Sequence, residues 1–345
     1  MIKASAGPHP YPHHVRKKNG EDMPNLTVAV LGSPGFARDL GKTGTTSDIT
    51  FYNLKRGTDS VTFIEPARYP EKIAPLFFAV STADRAILVV DRVDAAFGET
   101  VLMLQCAGVA KGHLVLRNYL TRDQLLPLIR GTVIEEYGDF TGNPNGLREI
   151  LLDEAGAREE DPGGSGAPAA GTVPIDHFFN VKGIGTVVLG TVSGGTIRTR
   201  DAMQVLPVKR PVQVRSIQKL DDDADLAVKG DRVGIALRGI EADELDRGYV
   251  LSGDPGMRCT HLVSGRLDLV PYWTIPLEEG MVVHAGHWMQ FVQGRIELVD
   301  DRDGDRRPHV TLRLEKEIVH PPGGRAILHQ LEGGKLRVMG TLGLP

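Results

Sequence analysis

Between Thr172 and Leu251 the chain repeats one theme: short β-branched runs broken by Gly, Asp and Pro. Pro174-Ile175-Asp176-His177-Phe178-Phe179 leads into Val181-Lys182-Gly183-Ile184-Gly185 and Thr186-Val187-Val188-Leu189-Gly190, and Ser193-Gly194-Gly195-Thr196-Ile197 follows. Val212 to Ile217 and Gly230 to Leu237 repeat the pattern after further turns. Helices of useful length cannot form through glycines at this density. Short strands with tight turns can, and they close most readily as a small antiparallel barrel. A second β-rich unit follows in Leu262 to Leu267, Trp288 to Leu298, Val310 to Leu314, Arg325 to Leu328 and Lys335 to Gly340.

Upstream the pattern changes. Leu26 to Gly32, Ser60 to Ile64, Arg85 to Asp91 and His113 to Leu116 are apolar runs, and helix-like stretches lie between them at Pro70 to Thr82, Ala95 to Gly108 and Arg122 to Leu128. Strand and helix alternating in this way predict a doubly wound α/β domain with a mainly parallel sheet. Ligands of such sheets sit at the carboxyl ends of the strands. Gly142 to Leu151 reads as a turn and a last amphipathic helix. Glu159 to Pro168 has the composition of a flexible linker.

The barrel stretch resembles the second domain of translational GTPases of the elongation factor Tu and archaeal elongation factor 1-alpha type. The selenocysteine-specific elongation factor and its relatives have the nearest flavour. The resemblance implies a P-loop-NTPase-like α/β G domain followed by two antiparallel β-barrels. The expected organisation is a disordered extension over 1–22, a degenerate G domain over 23–155, a linker over 156–171, and barrels over 172–256 and 257–345. It also implies translation partners, tRNA or the ribosome among them, with His177, Phe179, Lys182 and Arg198 as candidates for an RNA-binding surface. Against this stands the plain reading that the aromatics fill the barrel and the charges are solvated.

The G domain's chemistry is tested by its boxes. A phosphate loop needs G-x-x-x-x-G-K-[ST], because small residues let backbone N–H groups wrap phosphate, Lys adds charge and the hydroxyl holds magnesium. From Gly32 the chain reads Gly32-Ser33-Pro34-Gly35-Phe36-Ala37-Arg38-Asp39, with Ala, Arg and Asp at the last three places. Gly41-Lys42-Thr43 would need Phe36 as its first Gly. After the second run, Glu65-Pro66-Ala67-Arg68 stands for Asp-x-x-Gly, and Tyr69 for the family's catalytic His. Arg117-Asn118-Tyr119-Leu120 stands for the guanine-reading Asn-Lys-x-Asp and lacks its carboxylate. Nucleotide chemistry is therefore expected to be lost, with no catalytic residue and no cofactor. If GTP and magnesium still bind, Gly32, Ser33, Gly35, Arg38 and Glu65 are the residues to hold them, with Arg38 on phosphate and Glu65 on magnesium. A third possibility is a protein-binding adaptor outside translation.

Gly44 to Thr50 occupies the place of the family's first switch and reads as a helix exit and hairpin. Between Gly32 and Gly44 there is room for only a turn or two of helix. Lys42, Lys55 and Arg56 read as solvated charges, and the acidic run Asp221 to Asp225 as a solvated turn that lacks the Gly and terminal Glu of a calcium loop. His13-His14 and the five histidines from His284 to His329 lack ligand spacing, so no metal site is expected. Forty basic against 44 acidic residues, a net charge of −4, leave nucleic-acid contact to local patches. Two cysteines suit a reducing compartment. No apolar run is long enough to span a membrane, and the expected location is cytoplasmic.

Overall fold

A computed structural model describes residues 24–157, 170–300, 306–332, 334 and 336–345. The expected disordered extension and most of the expected linker, residues 158–169, lie outside these residues. The first seven strands are β1 (Asn25–Leu31), β2 (Lys42–Thr46), β3 (Ile49–Arg56), β4 (Asp59–Pro66), β5 (Arg85–Val90), β6 (Gly112–Leu116) and β7 (Gly138–Asp139). They form one sheet in the order β2-β3-β4-β1-β5-β6-β7. From β4 through β7 the neighbours are parallel, and β2 and β3 extend the sheet as an antiparallel ribbon. The centre is parallel because β1 and β5 are mostly apolar and, Arg85 apart, buried along their length. Helices α1 (Ala74–Ser81), α2 (Ala95–Ala107), α3 (Arg122–Ile129) and α4 (Pro144–Gly156) flank it. Local chemistry starts them: Asp94 accepts from the Phe97 N–H, and Asn143 from the Gly146 N–H. Between β1 and β2 one turn of 3-10 helix, Phe36–Asp39, replaces a first helix.

Two expectations change. Of the segment Gly44 to Thr50, the expected hairpin is present, since β2 pairs antiparallel with β3. Gly44 to Thr46 nevertheless belongs to an edge strand and not to a helix exit, because Thr43, Thr45 and Thr46 favour extended backbone and their polarity suits an exposed edge. Lys55 and Arg56 are not simply solvated: Lys55 pairs with Asp222, and Arg56 with Glu149 and Asp153 at 2.5 and 2.6 Å. The acidic run is therefore tied to the first sheet through Asp222, although Asp222 itself stays half exposed.

The following strands are β8 (Thr172–Val181), β9 (Gly185–Thr191), β10 (Thr196–Arg198), β11 (Ala202–Leu206), β12 (Arg210–Lys219), β13 (Asp222–Ala224), β14 (Leu226–Val228), β15 (Arg232–Arg238) and β16 (Val250–Ser252). Six of them close in the order β11-β16-β8-β9-β15-β12, sealed by the β11–β12 pair. β10 and β14 form a separate two-stranded sheet. Alternation along β12, shifted once by a bulge between Val214 and Ser216, puts Val212, Val214 and Ile217 inside, around a core with Val173, Ile175 and Val188. A second closed barrel runs β17-β20-β19-β18-β21-β22, built from Arg258–Leu269, His309–His320, Gln290–Asp300, Val282–His287, Arg325–His329 and Val338–Gly343.

The two barrels meet the first sheet differently. One continuous apolar core runs from Ala29 and Leu88 through Phe77 and Met103 into Val283, Leu328 and Leu342 of the second barrel. Gly286 is needed at this seam, since a Cβ there would lie 2.6 Å from the Phe77 ring. The first barrel keeps a core of its own and meets the sheet through polar groups.

Candidate functional site

In a mainly parallel sheet the place for a ligand is the crevice at the strand carboxyl ends. Here Gly32, Glu65, Asp91 and Asn118 follow or close β1, β4, β5 and β6 and border a cavity of about 480 Å³. Gly32 has φ 92, and a Cβ on it would meet the Val89 carbonyl oxygen at 2.0 Å. The backbone therefore turns here only as glycine. Gly35, φ 86, opens the 3-10 turn. Left-handed and right-handed residues in succession point their N–H groups into one concavity, an anion-binding nest.

That nest is filled from within. The Glu65 carboxylate, on a residue only 7% exposed, accepts from the Gly35 N–H at 2.5 Å and from the Ala37 N–H at 2.9 Å. A buried carboxylate is costly unless charge-assisted hydrogen bonds compensate it, and these two amides do so. A phosphate oxygen placed at the same amides would meet this carboxylate at hydrogen-bond range. The remaining donors fit such a group no better. Ser33 Oγ accepts from Arg117 at 3.2 Å, the Arg117 guanidinium covers the Phe36 ring at 5.1 Å, and Arg38 and Asp39 lie exposed on the turn. A magnesium-bound triphosphate does not fit this donor set. Among the described residues, no group of three or more His, Cys, Asp and Glu side chains is placed to hold a metal.

A second concavity lies between the sheet edge and the first barrel. It has a volume of about 610 Å³, with Lys42, Thr43 and Thr45 of β2 on one wall and Leu189, Gln218 and Val233 of the barrel on the other. The junction beside it is charged. Asp176, 4% exposed, takes a two-pronged contact from Arg232, whose guanidinium lies 4.2 Å from the centre of the Phe51 ring. Burial pushes the Asp176 carboxyl up, but the charge and hydrogen bonds of Arg232, together with the His177 contact, outweigh it and hold the group below its usual value. His177 meets the same ring edge-on at 5.6 Å and places Nδ1 2.8 Å from Asp176 and Nε2 3.1 Å from the Ser47 hydroxyl. Arg247 donates to Asp48 at 2.5 Å, to Ser47 at 3.0 Å and to the Asp176 carbonyl at 3.1 Å. Here too burial raises the Asp48 pKa and Arg247 more than reverses it.

The four barrel residues proposed from sequence are thus not one surface. His177 is engaged at the junction, and Arg198 lies exposed on the separate β10–β14 pair. Phe179, 41% exposed, and Lys182 stand together at the β8–β9 hairpin, with exposed Ile184 beside them. Arg337, which reads in the sequence as one of several basic residues of a candidate RNA-facing patch near the end of the chain, is instead the corresponding clasp on the second barrel. Its guanidinium meets the buried Glu99 of α2 at 3.0 and 2.5 Å and donates to the Pro70 carbonyl at 3.0 Å. The Glu99 hydrogen bond raises the Arg337 pKa. Only a Glu on one element and an Arg 238 positions later signal this pair, and nothing in the spacing connects them.

Comparisons with known proteins show what the chain is similar to. The family described as elongation factor Tu domain 2 matches residues 185–252. An uncharacterized protein of Methanocaldococcus jannaschii is 33% identical over 321 residues, covering 92% of this chain and 99% of its own. The selenocysteine-specific elongation factor of the same organism is 25% identical over 333 residues, covering 86% of this chain and 69% of its own. Translation elongation factor SelB of Methanococcus maripaludis, solved with the GTP analogue GppNHp, shares the fold with a TM-score of 0.78 at 20% identity, over 94% of this chain and 79% of that one.

Proposed function

We propose, since the chain belongs to the translational GTPase family, that it is a translation-factor-like protein working in the cytoplasm without binding or hydrolysing GTP. Its partner in this reading is an RNA of the translation machinery, tRNA or ribosomal. The observation that carries the loss of nucleotide is the Glu65 carboxylate on the Gly35 and Ala37 amides. The RNA part draws support from the exposed Phe179 and Lys182 at the β8–β9 hairpin, a ring for stacking beside a cation for phosphate.

Titration calorimetry of the full chain with GTP and magnesium is expected to give no binding heat. Micromolar or tighter binding would overturn this reading in favour of a divergent GTPase, for which the cavity beside Gly32, Ser33 and Asn118 leaves room. Crosslinking in cells is expected to recover tRNA or ribosomal RNA. The double substitution F179A/K182A should lower RNA retention at least about fivefold, the loss of roughly 1 kcal/mol of stacking. Recovery of proteins alone would point instead to an adaptor.

A further inference from the structure

In GTPases the loops around the nucleotide are ordered by the γ-phosphate and its magnesium and released on hydrolysis. Here the residues do not fit that group, and a side chain of the same charge sign stands on the loop amides. We infer that Glu65 is a built-in replacement for the ordering anion, and that it closes the segment Glu65 to Glu71 as a permanent latch holding the sheet and both barrels in one arrangement. This rests on the reading that no nucleotide completes the site.

The contacts run without a gap. Glu65 holds the Gly35–Ala37 turn. Two residues on, the Ala67 N–H donates to the Asp48 carbonyl at 2.8 Å. The Asp48 and Ser47 side chains are gripped by Arg247 of the first barrel. At the other end of the segment, Arg337 of the second barrel takes the Pro70 and Glu71 carbonyls, at 3.0 and 3.4 Å, while its main anchor is Glu99. Seven residues, Glu65 to Glu71, thus touch the loop, the β2–β3 turn and the second barrel, and reach the first barrel through one backbone hydrogen bond. A ligand can shift such an equilibrium only by its differential affinity for two states. The Glu65 carboxylate cannot dissociate and competes at the high effective concentration of a tethered group. A free anion therefore gains little by entering.

Hydrogen exchange of the full chain, read by mass spectrometry with inorganic phosphate and pyrophosphate as probes, tests the latch. In the wild type neither probe should change exchange at residues 35–41, 46–49 or 67–72. In E65A all three segments should exchange at least tenfold faster, and phosphate should restore protection. A probe effect greater than twofold on the wild type would overturn the inference. So would an E65A chain that loosens at 35–41 alone or that phosphate does not restore. If E65A fails to fold, R247A decides: exchange should rise at 46–49 while 35–37 stays protected, and an unchanged 46–49 segment would sink the latch. None of these readouts uses RNA, so a failure here leaves the RNA reading standing, and the converse also holds.

Discussion

Gly32 and Glu65 show how differently two residues of one site can be read. The turn after β1 admits no side chain, because a Cβ at Gly32 would be driven into the Val89 carbonyl. G32A should therefore cost at least about 3 kcal/mol, the sum of a left-handed backbone penalty and a steric clash. Urea unfolding would measure this as a fall in midpoint at unchanged slope. The sequence makes that glycine visible, and the missing Lys and Ser/Thr of the loop as well. It does not make Glu65 visible for what it is. A carboxylate at the end of a strand reads as a magnesium ligand. Only folding brings it onto amides 28 and 30 positions earlier. His177 is a parallel case, read as a surface residue and found in contact with Ser47, 130 positions away.

At the scale of elements, the barrels were legible because β-branched runs and glycine turns leave few other folds. Strand β2 was not, since Lys-Thr-Gly-Thr-Thr carries no apolar alternation to mark a face. The histidines of the second barrel also took on a character their spacing did not suggest. His329 is fully buried, with its Nε2 unpartnered, between the rings of Phe77 and Phe291, and His287 is nearly so. Burial pushes their pKa values down, to about 3 for His329 and about 4 for His287. Both stay neutral in the folded barrel, whereas in the unfolded chain each takes a proton near the ordinary histidine value of 6.5. Below that pH the unfolded state binds more protons. Their contribution is then intact above pH 6.5 and is lost as the pH falls toward 4, at about 1.4 kcal/mol per unit for each group. Urea midpoints measured from pH 7.5 to 4.5 should fall accordingly. H329L should make the slope shallower by one proton; an unchanged slope would show that this histidine is not held neutral.

For the whole molecule, the division that matters is not the order along the chain. The first sheet and the second barrel share one extended apolar core, while the first barrel has its own. It is joined to the sheet by ion pairs and hydrogen bonds, and to the second barrel by only a small apolar cluster of Leu206, Val250 and Val319. Scanning calorimetry should therefore resolve two transitions. Proteolysis at the lower midpoint should separate residues 170–252 from the other two parts, which stay together. A single transition whose calorimetric and van't Hoff enthalpies agree would refute this.

The Phe77 seam also has a consequence in time. The rings of Phe77 and Phe78 on α1 are covered by Phe291 and the close backbone of Gly286, residues that a ribosome makes long after α1 and α4. At roughly 5–20 residues per second, the interval between finishing α4 and reaching Phe291 is on the order of seven to thirty seconds. For that long the newborn sheet carries a bare aromatic face whose lid has not yet been translated, and it must be kept from its neighbours by something other than itself.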